Sequence, residues 1–187
     1  MSSEGRQFSI APELIPDDAP PGHVVRRDAG RTIYYAGNLM QWKLEQEHSM
    51  GFCSVVEVVM RRGEEPPLHV HAGEDELYYV LEGELTFYVG RDVFEAVRGD
   101  TVFLPRKAPH AFSVSEQSGV ARLLLMIWPS NNLRRYFDQL GVAGTEPRLP
   151  PPVTDFPVEE AIAALAPHEV TILGPGPSVV NDGLARP

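Results

Sequence analysis

Residues 68–85 read LHVHAGEDELYYVLEGEL. Two histidines, His69 and His71, stand one residue apart, and Glu74, Asp75 and Glu76 follow within five positions. In a β-strand successive side chains alternate faces, so His69 and His71 point one way while Leu68 and Val70 point the other. Two imidazoles on one face can share a metal ion. AGED then supplies a tight turn, and the strand that follows puts Glu76, Tyr78 and Val80 on one face against Leu77, Tyr79 and Leu81. If the turn lays this strand beside the first, Glu76 completes a facial set of ligands. Glu74 and Asp75 read as the solvated turn between the strands. Alone, an H-x-H on a strand is more often a surface pair than a metal site, so the surrounding chain has to decide.

From about Val24 to Trp128, short segments rich in Val, Ile, Tyr and Phe alternate with Gly, Pro and Asp: RTIYYAG, FCSVVEVVM, ELYYVLEGELTFYVG, TVFLP, HAFSV and ARLLLMIW. Regular short strands with turn signals between them predict an all-β sandwich or barrel over residues 23–129. Residues 1–22 carry Pro12, Pro16, Pro20 and Pro21, which block regular structure and make this segment an arm. Its apolar points, Phe8, Ile10, Leu14 and Ile15, could lie on a neighbouring copy. Residues 130–187 form a helical and proline-rich extension that packs on the barrel. SNNLRRYFDQLG offers Ser130, Asn131 or Asn132 as an N-cap and Gly141 as a stop, and a second helix is expected near Val158–Ala166. The first of these helices is the natural cover for the outer face of the strand at Leu123–Trp128, which is apolar on both sides.

The 187 residues hold 16 Lys and Arg against 26 Asp and Glu, a net charge of −10. That balance excludes the basic footprint of a nucleic-acid or anionic-membrane binder. Cys53 is the single cysteine, so neither an intramolecular disulfide nor a cysteine metal cluster can form. The N-terminus lacks the apolar core of a signal peptide, and the apolar run Leu123–Trp128 is too short to span a bilayer, so a cytoplasmic location is expected.

GDTVFLPRKAPHAF adds a third imidazole, with His110 at the start of a strand and Phe112 on the same side. Three imidazoles and a carboxylate suit Ni, Fe, Mn, Co, Cu or Zn, with room for water or substrate. These residues resemble the two motifs of the cupin family. Gly63, His69, His71, Glu76 and Gly83 fit the first without a gap, and Gly99, Pro105 and His110 fit the second. Lys107 stands where the family has glycine and Val114 where it has asparagine, both outside the ligand set. Lys107 implies either a left-handed backbone or a different turn, and Asp75 is a formal rival to Glu76.

The resemblance implies a cupin jelly-roll β-barrel with one divalent transition metal bound by His69, His71, Glu76 and His110. Over residues 30–177 the chain is also similar to single-cupin quercetin 2,3-dioxygenases of actinobacterial type. That likeness implies ring cleavage of a flavonol or related aromatic hydroxy-ketone with O2, Glu76 as catalytic base, and a homodimer. Tyr78 and Phe112 are expected to line the substrate pocket, with Phe52, Met126 and Trp128 added from strand parity; simple core packing competes at each. Two alternatives keep the same ligands: a non-oxidative cupin isomerase or polyketide cyclase using the metal as a Lewis acid, and a non-enzymatic small-molecule binding cupin.

Overall fold

The computed structural model describes residues 9–19, 21–129 and 132–182. Residues 1–8 of the arm, Phe8 among them, lie outside the described residues, as do Ser130 and Asn131 of the expected N-cap. Within the described arm, Ile10, Leu14 and Ile15 are exposed.

Among the described residues, twelve strands make two antiparallel sheets. The first holds β1 (Thr32–Tyr35), β2 (Asn38–Leu44), β3 (Ser54–Arg61), β5 (Asp75–Glu82), β8 (Thr101–Leu104), β10 (Val120–Trp128) and β11 (Val142–Ala143), in the order β11-β1-β2-β3-β10-β5-β8. The second holds β4 (Leu68–His71), β6 (Glu84–Val89), β7 (Asp92–Val97), β9 (His110–Val114) and β12 (Val170–Gly174), in the order β12-β4-β9-β6-β7. Period-two alternation sets the core. Glu76, Tyr78 and Val80 of β5 and Ala121, Leu123, Leu125 and Ile127 of β10 are buried, while their neighbours face outward. Gly83 separates β5 from β6 at φ +90°, and a Cβ there would lie 2.8 Å from the Val120 carbonyl oxygen. Both constraints favour the glycine that the sequence supplies.

Helix α1 (Asn132–Leu140) and helix α2 (Val158–Leu165) form at the expected places, and a short α3 (Pro177–Asp182) follows β12. The extension does more than pack on the barrel: β11 pairs with β1 and β12 with β4, so it adds an edge strand to each sheet. Strands β7, β11 and β12 were not among the expected strands. Helix α1 does not cover β10. It packs on β1 and α2, turning Leu133, Tyr136 and Phe137 inward across one end of the barrel. The outer face of β10, with Leu124, Met126 and Trp128, stays half-exposed. The apolar ridge of α1, Leu133, Tyr136 and Phe137, is buried there against the barrel end. Among the described residues no helix is long and apolar enough to cross a membrane.

Candidate metal centre and cavity

His69 and His71 point inward from β4, at 7% and 1% exposure, because their parity matches the buried positions of that strand. His110 begins β9 directly opposite His69 in the ladder. Glu76 arrives from the other sheet: β4 pairs with β9 and β12, whereas β5 pairs with β10 and β8. The turn at residues 72–74 therefore carries the chain across the barrel instead of folding β5 beside β4. The carboxylate faces the imidazoles through the interior, which achieves the expected convergence by a different route.

The donor atoms of the four side chains all lie within 4.8 Å of one another. Glu76 Oε1 is 3.8 Å from His71 Nε2, and Glu76 Oε2 is 3.4 Å from His110 Nε2. His69 Nδ1 and His110 Nδ1 are held 2.7 Å and 2.9 Å from the carbonyl oxygens of Pro67 and Ala108. A ring that donates from Nδ1 leaves its Nε2 lone pair free for the centre. His71 Nε2, His110 Nε2 and Glu76 Oε2 are buried with no hydrogen-bond partner. Buried polar atoms are ordinarily satisfied, so three orphans converging on one point fit a cation held among them. The cluster could bind a metal, and its mixed nitrogen and oxygen donors leave the metal's identity open.

The electrostatics differ from one side chain to the next. Burial, then the neighbouring His110 and His71, lower the His69 pKa from 6.5 to about 3, so this ring is neutral. For His71, burial acts downward but the carboxylates of Glu76 and Glu74 outweigh it and raise its pKa. Burial pushes Glu76 up, yet the facing imidazoles bring it down to about 2, so it is ionised throughout the neutral range. Burial and then the Glu76 carboxylate lift the Tyr78 hydroxyl well above its ordinary range, which keeps it protonated beside that carboxylate.

Glu74 and Asp75 are not a solvated turn. Glu74 is 2% exposed, and its carboxylate accepts from the backbone N–H groups of Asn132 at 2.8 Å and Leu133 at 3.1 Å. It caps α1. Gly73 leaves space for the carboxylate of Glu169, which accepts from Asn132 Nδ2 at 3.1 Å. The extension lands on this turn and buries Glu74. Asp75 turns outward onto Arg106, accepting from its backbone N–H at 2.7 Å and from Nη2 at 2.6 Å. That pairing removes it from contention as a ligand and anchors the loop that presents His110. In the same loop Lys107 adopts φ +68°, the left-handed conformation its place in the motif implies, with its N–H bonded to the His71 carbonyl oxygen at 2.7 Å.

A cavity of about 640 Å³ opens from the ligands towards the extension. Tyr78 and Phe112 form its wall near Glu76, their rings 5.3 Å apart. Phe52, Met126 and Trp128 are corrections. Phe52 is 71% exposed, since it precedes the first residue of β3 and strand parity does not reach it. Met126 and Trp128 lie on the outer face of β10, where Trp128 stacks on Phe103; Leu125 takes the wall position instead. Reading the parity of β10 from its odd residues would have found Leu125. The sequence reading also missed Met40 and Met60, which parity on β2 and β3 could have identified, and Phe156 and Phe137 of the extension. No local pattern marks the extension residues, because their contact with the barrel is made only by long-range packing.

A family model described as Cupin domain matches residues 56–128, the stretch that contains all four side chains of the candidate centre. The fold is thus an all-β cupin jelly roll with a helical C-terminal extension. Over 57 residues the chain is 37% identical to the uncharacterized protein MJ1618 of Methanocaldococcus jannaschii, covering 30% of this chain and 46% of that one. The chain therefore spans about half the length of that curated relative. Among solved structures, KdgF from Halomonas sp. aligns at a TM-score of 0.50 and 16% identity, over 61% of this chain and 99% of that one. The protein TT1209 from Thermus thermophilus is 32% identical over 42% of this chain and 74% of that one, at a TM-score of 0.39.

Proposed function

We propose that this protein is a metal-dependent cupin dioxygenase that opens the ring of a flavonol, or a related aromatic hydroxy-ketone, with O2. One observation carries the reading: four buried side chains converge, and three of them, His69, His71 and Glu76, line a cavity of about 640 Å³ beside the aromatic rings of Tyr78 and Phe112. A flat polyphenol is the ligand class that such a wall and volume suit. A divalent transition metal held by His69, His71, Glu76 and His110 supplies Lewis acidity and one-electron chemistry with dioxygen.

The chain's own groups do the rest. Glu76, ionised at neutral pH, is the acceptor for the proton of the substrate's acidic hydroxyl. Its low pKa makes it a weak base, so it suits a substrate whose hydroxyl is itself acidic. Tyr78, neutral, offers a donor beside Glu76, and Phe112 packs on Tyr78 to fix its ring. Leu133 and Phe137 add apolar side chains to the cavity wall from the extension. The balanced reaction is flavonol plus O2 giving the ring-opened ester and carbon monoxide.

The test is to load the purified protein with Ni, Fe, Mn, Co, Cu or Zn and follow a flavonol's absorbance under air and under nitrogen. Loss of the absorbance only under air, with release of carbon monoxide, is the expected result. Turnover that continues without oxygen would replace the proposal with Lewis-acid isomerisation or cyclisation, and an unchanged spectrum for every metal would end it. We also propose that the protein is a cytoplasmic homodimer.

A further inference from the structure

We propose that Glu74 is a positioning residue: it fixes the His71 ring for metal binding and ties the metal centre to helix α1. The three imidazoles are not held alike. His69 and His110 each rest Nδ1 on the carbonyl two residues earlier in their own segment. His71 Nδ1 is buried with no hydrogen-bond partner, and the acceptor facing it is Glu74 Oε2 at 3.8 Å. A ring that ligates through Nε2 must carry its proton on Nδ1, and that proton then points at a carboxylate. Closing the gap by about 1 Å makes a charge-assisted hydrogen bond.

The carboxylate is held from its other side. Two amides at the first turn of α1 grip it, and at 2% exposure no bulk water competes. The same helix presents Leu133, Tyr136 and Phe137 to the cavity. A molecule that presses on α1 is therefore felt at His71 through one buried side chain. A partner of this kind orients the ligand and raises its basicity, and its removal commonly costs about 10–100-fold in metal affinity.

The inference rests on the metal-centre reading of the four side chains and on no substrate. The experiment is a chelator-competition titration of Co(II) and Ni(II) into the metal-free full chain, with the visible bands of the Co(II) form recorded alongside. Glu74→Gln keeps an oxygen for an α1 amide but removes the charge facing His71. It is expected to bind either metal about 10–100-fold more weakly, with shifted Co(II) bands. Leu85→Ala, a buried change on β6 away from the cavity lining, is expected to lower stability and leave both readouts at the wild-type values. Wild-type affinity and bands in Glu74→Gln would reduce Glu74 to a helix cap and overturn the proposal, as would an equal loss of affinity in Leu85→Ala. If Glu74→Gln does not fold, Glu74→Asp is read in its place; it keeps the charge but withdraws it from His71, and unchanged affinity again counts against the proposal. Failure of the wild-type chain to bind either metal would strike the metal-centre reading itself, and this inference with it.

Discussion

His69, His71 and Glu76 contribute to the pH behaviour of the metal-free chain, and the sign follows from where each pKa moves. His69 lies at about 3 when folded against 6.5 when unfolded, so its contribution is present above 6.5 and is lost as pH falls towards 3. Glu76 lies at about 2 against 4.5, so its contribution is present above 4.5 and is lost as pH falls towards 2. His71, raised, acts in the opposite sense: its contribution is complete below 6.5 and is lost as pH rises through the raised value. In acid only His69 and Glu76 of this group change. The melting temperature of the chelator-treated chain should fall from neutral pH into acid, with the portion between 6.5 and 4.5 absent in His69→Gln; an equal slope in that variant would refute the assignment. Glu76→Gln should keep the fold and suppress flavonol turnover, and full activity in it would remove Glu76 as the base. Lys107→Gly should raise stability by about 0.5–1 kcal/mol in urea denaturation, because it relieves a left-handed backbone without touching a ligand.

Among the elements, the strands were legible and the turn between β4 and β5 was not. Parity on β4 and β5 placed His69, His71, Glu76 and Tyr78 inward because alternation is a local property of the extended chain. The same rule failed at Phe52, which is not in a strand, and at Met126 and Trp128, where the apolar character of both faces of β10 left the inward one undecided. Glu74 was read as solvated because nothing near it in sequence covers it; its partners, Asn132 and Leu133, are 58 and 59 residues away. Helix α1 matters for stability as well as for closure. Phe137, which packs edge-on against Tyr35, should cost about 3 kcal/mol when replaced by alanine, measured by denaturant unfolding. A cost near zero would mean that α1 is not docked on the barrel in solution.

The whole molecule presents a half-exposed apolar face where α1 was expected to lie. Phe103 is 48% exposed and stacks on Trp128, with Met126 and Leu77 paired beside them. If the proposed homodimer uses this face, Phe103→Glu should shift the chain to monomer in size-exclusion chromatography. A chain truncated before Val24 separates this from the arm: an unchanged dimer removes the arm from the interface, and a monomer assigns the contact to it.

The sequence by itself determined most of the strand pattern, the inward side of β4 and β5 and the four side chains of the candidate metal centre, because side-chain alternation and motif spacing are local. Only the tertiary structure decided that Glu76 reaches the histidines from the opposite sheet, that Glu74 is buried and caps α1, and that the extension lines the cavity. Each of these depends on contacts between segments distant in the chain, and the energy of such contacts is fixed by what lands on a surface, which no local pattern encodes.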